Sequence, residues 1–289
     1  MFKKLPVRVS FVCTNTTFGS FDDLTSSDGR EHIAREGFRH YLICRAPRII
    51  FESFDRTQKK VATKVQRGVT EFEQISIDIQ TSITVDGIST ELENVEYTKY
   101  PEIKAKLSNG AEFLFATCFE FLSFVAPAQN NLLILEVLYV GQTEPTEEYL
   151  RLEGHATFAK IVDRYLKSEP QAEIFIKLLK FPGPVYEYAD NQHEVDTLWS
   201  NGVAQAVGTF PPDQMTSLIE AALIRACQPE FNTHYKTSFP SKKHKNYSFV
   251  FKVPIDEVEV IVSEELRRYR WKLGNEVGNA LWLSVQLEN

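Results

Sequence analysis

The chain has 289 residues, 43 % hydrophobic and 25 % charged, with a formal net charge of −7. A chain of this length accommodates more than one domain and builds its core without disulfides or metals. No run of about eighteen apolar residues is present, which excludes a membrane-spanning helix and argues for a protein without membrane contact.

From the start, "VRVSFVC" alternates and reads as a first strand rather than a signal peptide. "REHIAREGFRHYLI" (Arg30 to Ile43) has helical spacing through Ile33, Phe38 and Tyr41-Leu42, and "RIIFESF" follows as a strand. From Phe72 onward the period is two, with hairpin turns expected at Asp86-Gly87 and Asn109-Gly110. "EFLFATCFEFLSFV" continues this β pattern. "APAQNN" then turns it into "LLILEVLYVG", so these two strands are expected to form a hairpin.

The period changes after Gly141. "EEYLRLEGHATFAKIVDRYLKS" (Glu147 to Ser168) is helical in spacing, with Gly154 as a break, and "AEIFIKLLKF" is a strand. Residues 181–214 are rich in Pro, Gly and polar side chains and read as an insertion or lid, with a short helix near Val195 to Trp199. "PPDQMTSLIEAALIRACQP" is a helix capped by Asp213 or Thr216 and stopped by Pro229. "NYSFVFKVPID", "VEVIVSEELRRYRWKL" and "NALWLSVQLEN" supply further strands around one short helix.

These elements predict an α+β protein in three parts. Residues 1–115 form a mainly antiparallel β domain for recognition or partner binding. Residues 116–235 form a small mixed sheet with flanking helices, carrying the 181–214 insertion. Residues 236–289 form a C-terminal α/β extension. Charge is uneven: Lys and Arg number 7 against 15 Asp and Glu in residues 131–235, but 9 against 7 in residues 236–289. The whole surface therefore does not suit a polyanion, and any such site is a local patch. The four cysteines, Cys13, Cys44, Cys118 and Cys227, form no C-x-x-C pair; they suit reduced, buried thiols in a cytoplasmic protein.

One ordered constellation stands out. Tyr139 closes an apolar strand, with Gly141 read as letting the chain turn away. Arg151 and His155 are four apart and share a helix face. Glu220 is the lone acid on an apolar helix, and Asn232 follows a Pro stop and an aromatic. Singly each residue has an ordinary reading: Glu220 near a helix N-terminus complements the macrodipole, and Asn232 fills a turn.

As a set, "LYVGQT", Arg151 with His155, and "IEAALIRACQPEFN" resemble the GIY-YIG endonuclease superfamily over roughly residues 116–235. "AEIFIKLLKF" stands where that family has its third strand. The first Gly-Ile-Tyr signature is absent from the preceding segment, which reads "ATCFEFLSFV" with Phe119, Phe121 and Phe124. The resemblance implies metal-dependent phosphodiester hydrolysis of nucleic acid, DNA ahead of RNA. Glu220 would anchor a single Mg²⁺ or Mn²⁺, and Arg151 would clamp the phosphate. Tyr139 would be base or water-positioner, its phenol acidified by the metal and the arginine, with His155 helping. Asn232 would hold the geometry. The alternative is a catalytically degenerate unit that binds nucleic acid or protein, with residues 1–115 as adaptor.

Two basic stretches lie beyond. In "SKKHKNY", Lys242, Lys243 and Lys245 would bind a phosphate backbone while Tyr247 stacks on a base; the competing reading is an exposed loop that guards a strand edge. "RRYRWK" (Arg267 to Lys272) would bind a backbone in the same way; its competing reading is a helix face with arginines over Tyr269 and Trp271.

Overall fold

The computed structural model describes residues 7–19, 26–85, 88–99, 101–126, 131–143, 156–169, 171–188, 209–253, 255–263, 269–274 and 276–287. The first part contains β1 (Val7–Val12), β2 (Asn15–Gly19), α1 (Ser27–Glu36), β3 (His40–Pro47), β4 (Ile49–Asp55), β5 (Lys60–Gln66) and β6 (Phe72–Asp78). Next come β7 (Ser82–Val85), β8 (Ile88–Lys99), β9 (Glu102–Leu107), β10 (Glu112–Phe115), α2 (Cys118–Val125) and β11 (Ile134–Gln142). Then follow α3 (Ala156–Ser168), β12 (Ala172–Lys180), β13 (Pro184–Tyr188) and α4 (Pro212–Cys227). A 3-10 helix (Lys245–Phe251), β14 (Glu257–Val262), β15 (Arg270–Leu273), β16 (Glu276–Gly278) and β17 (Leu281–Gln286) complete the set. The architecture is α+β and mainly antiparallel, as the periodicities predict. Among the described residues no helix is long and apolar enough to cross a membrane.

The central sheet has the order β16-β15-β11-β3-β12-β2. A second sheet, β13-β1-β14-β17, and two outer sheets, β10-β9-β8-β7 and β4-β5-β6, surround it. Strands from residues 7–47, 134–188 and 257–286 share the first two sheets. The outer sheets come from residues 49–115, threaded between β3 and β11. One face of the central sheet packs Tyr41, Ile43, Leu138, Ile176 and Leu178 against Ile33 of α1 and Ile161 and Tyr165 of α3. α4 buries Leu218, Ile219, Ala221, Ala222, Leu223 and Ile224 in the larger core.

Several local expectations change, each for a physical reason. The helical spacing over Arg30 to Ile43 is cut at Gly37, which takes φ +72° and caps α1. Only glycine adopts that conformation cheaply, so Tyr41 and Leu42 pass into β3. "CFEFLSFV" is helix α2, not a strand. The Thr117 side chain accepts the Glu120 N–H at its start, and Phe119, Phe121, Leu122 and Val125 bury on helical spacing. Hence no hairpin joins residues 119–125 to β11, whose antiparallel partner is β3. "KNYSFVF" is a 3-10 helix rather than a strand, and "RWKL" is strand β15 rather than a helix face. α4 starts on Pro212 with Pro211 as N-cap, so neither Asp213 nor Thr216 caps it; Gln228 closes it in the left-handed region. Most of the expected lid, including Val195 to Trp199, lies outside the described residues; within the described part of 181–214, Pro184–Tyr188 is strand β13 and Pro212 opens α4.

Candidate functional site

β11 and β3 run antiparallel with Tyr139 opposite Ile43, Gly141 opposite Tyr41 and Gln142 opposite His40. The register slips between Val137 and Tyr139, leaving Leu138 as an extra residue. Such a bulge re-aims the side chain that follows it. Tyr139 thereby packs against the same apolar cluster as Tyr41, with ring centroids 6.0 Å apart, and the two phenol groups are hydrogen-bonded. Tyr41 is only 3 % exposed, whereas Tyr139 is half-buried.

Gly141 makes this pairing sterically feasible. A Cβ at that position would lie 2.4 Å from Cζ and 2.5 Å from the hydroxyl oxygen of Tyr41. The glycine therefore does not release a turn, contrary to the sequence expectation. It sits inside β11, which continues to Gln142, and leaves room for the Tyr41 ring.

β15 pairs with β11 only at Ile134 to Glu136. Beyond that point, the segment after α4 serves the open edge. Phe231 donates its N–H to the Leu138 carbonyl at 3.0 Å. The Asn232 amide oxygen accepts the Val140 N–H at 2.8 Å, and its NH₂ donates to the Val140 carbonyl at 2.9 Å. Asn232 thus imitates one residue of a neighbouring strand and is itself buried. His40 ties the other side. Its Nε2–H donates to the Thr216 carbonyl of α4 at 2.9 Å, which fixes the tautomer. Full burial pushes its pKa down to about 4, so the ring is neutral.

Glu220 lies mid-way along the sixteen-residue α4, too far from its start for the macrodipole reading. It is mostly withdrawn from solvent, and burial raises its pKa above the ordinary 4.5, partly offset by the hydrogen bond that Gln142 Nε2 donates. Among the described residues no cation pairs with it. Its charge reaches Tyr139. Burial and then Glu220 raise the pKa of that phenol, while the Tyr41 bond lowers it. The direction is opposite to the acidified phenol expected from sequence, because a carboxylate is the neighbour that the described residues supply. No group of three or more His, Cys, Asp or Glu able to hold a metal gathers among the described residues. A hard divalent ion that keeps most of its waters needs as little as one protein carboxylate, and Glu220 is the residue here that could supply it.

Of the expected site residues, Tyr139, Glu220 and Asn232 gather around the end of β11. Arg151 and His155 lie outside the described residues. Lys242, Lys243 and Lys245 are exposed. Tyr247 is wholly buried, ringed by Tyr235, Phe239, His244 and Phe251, so it cannot stack on a base. Its hydroxyl accepts the Ser241 N–H, and its pKa is pushed up to about 12, chiefly by burial. In the second basic stretch, Tyr269 and Trp271 are buried, Arg270 bonds Asn131, and Lys272 pairs with Glu136. Sequence reasoning missed Tyr41 and Gln142. The signal for Tyr41 was "HYLI" placed just after a glycine stop; the signal for Gln142 was its place in "YVGQ". No protein-family model matches this chain, and neither curated proteins nor solved structures show a significant similarity to it.

Proposed function

We propose that the chain is a metal-dependent endonuclease of GIY-YIG type that hydrolyses phosphodiester bonds in nucleic acid, DNA ahead of RNA. The observation that carries this reading is the hydrogen-bonded pair Tyr41–Tyr139 beside the carboxylate of Glu220, which no cation pairs among the described residues. The Gly-Ile-Tyr signature stays absent from the segment before β11, but Tyr41 of β3, opposite Gly141, sets a second phenol beside Tyr139, and that pair favours the enzyme over a degenerate binding unit.

The donor set fits Mg²⁺ or Mn²⁺: one carboxylate, aligned by an amide, with no competing cation among the described residues. Such an ion, when bound, supplies positive charge against a non-bridging phosphate oxygen. Glu220 holds that position and Gln142 orients its carboxylate. Tyr139 presents a hydroxyl to the attacking water, and Tyr41 fixes the direction of that hydroxyl from behind. With a cation held at Glu220, the carboxylate's effect on Tyr139 would be offset and the phenol would give up its proton more readily. Asn232 keeps the strand edge in register. Arg151 and His155 keep their expected roles as phosphate clamp and helper. Exposed Phe72 and Leu114 on the outer sheets, with Val69 in the loop before Phe72, support a protein-contact role for the N-terminal region.

The test is incubation with plasmid DNA and with single-stranded RNA, in Mg²⁺, in Mn²⁺ and in chelator, alongside Glu220→Gln. Cutting requires metal and falls by about 100-fold or more in the variant, the range for losing a group that acts on the transition state. Because burial raises the Glu220 pKa above the ordinary 4.5 in the metal-free protein, metal binding strengthens as pH rises through that range. No cutting with either metal, or equal cutting by the variant, rejects the hydrolase.

A further inference from the structure

Residues 231–255 hold five lysines and no acidic residue, in a chain of net charge −7. The segment is fastened along α4 at two points. The Lys236 carbonyl accepts from Arg225 Nη1 and Gln228 Nε2 near the helix C-terminus. Phe249 N–H donates to Gln214 Oε1 at 2.7 Å near the N-terminus. Eleven residues of helix separate Gln214 from Arg225, a span of roughly 16 Å at 1.5 Å per residue. Glu220 lies between them in height but roughly 120–140° round the helix from both, so the segment approaches the carboxylate through Tyr235.

Tyr235 is the side chain of this segment that reaches toward the site. Its backbone is held at φ +66°, a conformation that non-glycine residues adopt at a cost of about 1–2 kcal/mol. The two bonds on the Lys236 carbonyl keep it there. Its ring lies 5.0 Å from His244 and 6.0 Å from Tyr247 by centroid, and remains half-exposed. Its phenol senses Glu220. Lys242, Lys243 and Lys245 are exposed beyond it and form no ion pair among the described residues.

We infer that this segment is a backbone track for nucleic acid: Lys242, Lys243 and Lys245 hold phosphates while Tyr235, backed by His244, carries the base or sugar next to the scissile bond. The inference rests on the endonuclease reading of Glu220 and assigns to Tyr235 the stacking role that buried Tyr247 cannot take. A strand laid along roughly 16 Å covers about five base-pair steps of 3.4 Å, enough for three phosphate contacts.

Binding is measured in chelator, where no cleavage occurs, by fluorescence anisotropy of a labelled 20-base-pair duplex and of its single strand. The triple variant Lys242→Glu, Lys243→Glu, Lys245→Glu weakens both at least tenfold. Replacing the lysines by Gln instead flattens the duplex plot of log affinity against log salt by about 2.7, or 0.9 for each phosphate that a lysine no longer neutralises. Tyr235→Ala weakens the single strand by about fivefold or more, the lower limit for removing a base-stacking ring. A wild-type protein that binds neither probe overturns the track, as do lysine variants with wild-type affinity and slope. Lysine-dependent binding without cleavage in either metal rejects the hydrolase and leaves the track standing. Cleavage with lysine-independent binding does the reverse.

Discussion

β3 and β11 carry charged or polar clusters at both ends, and the two ends are built differently. At one end Arg45 bonds Glu136 and Glu169, and its guanidinium lies 4.9 Å from the centre of the Tyr165 ring. Lys272 binds the other oxygen of Glu136 at 3.0 Å. Two cations meet two carboxylates, and the network is neutral. Arg45, Glu136, Glu169 and Lys272 line part of a groove of about 320 Å³. At the other end, Glu220 has the Gln142 amide and no cation among the described residues, and Tyr139 is hydrogen-bonded to Tyr41. Among the described residues, the first end is neutralised and the second holds a carboxylate that no cation answers. A neutralised network has nothing left to offer a phosphate or a metal, whereas a desolvated carboxylate without a cation is stabilised by any that arrives.

The contrast is sharpened most by Asn232. Asn232→Ala leaves the Val140 N–H and C=O buried without partners, a loss of roughly 2–5 kcal/mol at about 1–3 kcal/mol per orphaned group. Urea denaturation reads this as a lower midpoint at unchanged slope. Asn232→Asp keeps the acceptor for Val140 N–H but turns a carboxylate oxygen onto the buried Val140 carbonyl, so at neutral pH it gives no rescue over Ala. A loss below about 1 kcal/mol in Asn232→Ala would show that the open edge of β11 finds other partners, and the site's rigidity would need another source.

Gly141→Ala comes next. The new methyl meets a Tyr41 ring enclosed on the apolar face, and overpacking of this kind costs about 1–3 kcal/mol. In a Tyr41→Ala background the same substitution is nearly silent, and the double-mutant cycle returns that cost as coupling. Additive effects would mean that the ring is not what requires a glycine.

Tyr139, Glu220 and Asn232 were legible because they fall at recognisable places along the chain: a strand end, a lone acid on an apolar helix, an amide after a proline stop. The fold class was legible from periodicity. Tyr41 was not, because the two outer sheets separate β3 from β11, and strand pairing over that distance leaves no local trace. "CFEFLSFV" filled the gap as a false partner. Aromatics at every second or third position suit a strand as well as a buried helix turn, and the Thr117 cap decided between them. Tyr247 misled for a related reason: a tyrosine beside lysines looks exposed, but Phe239 and Phe251 enclose it from positions that a strand reading would have spread apart. Gln142 gave no signal of its own beyond its place in the motif, since its role depends on α4 passing beside β11.

The smallest effect is expected at the closed network, and it tests the contrast from the other side. Arg45→Gln removes the shared cation, leaving Lys272 on Glu136 and Glu169 alone. The side chains of Arg45, Glu136 and Glu169 are 21 %, 25 % and 39 % exposed, so water screens the two carboxylates once the arginine is gone. A fully buried pair would lose several kcal/mol on such a change; at this exposure the loss is about 1 kcal/mol and shrinks as salt is added. Because every charge here is answered within the network, nucleic-acid affinity and cleavage in Arg45→Gln should match wild type, measured on the same probes as the lysine variants. If cleavage fell while the urea midpoint barely moved, the groove beside Arg45 would belong to the site, and the division of these two strands into a structural end and a reactive end would fail.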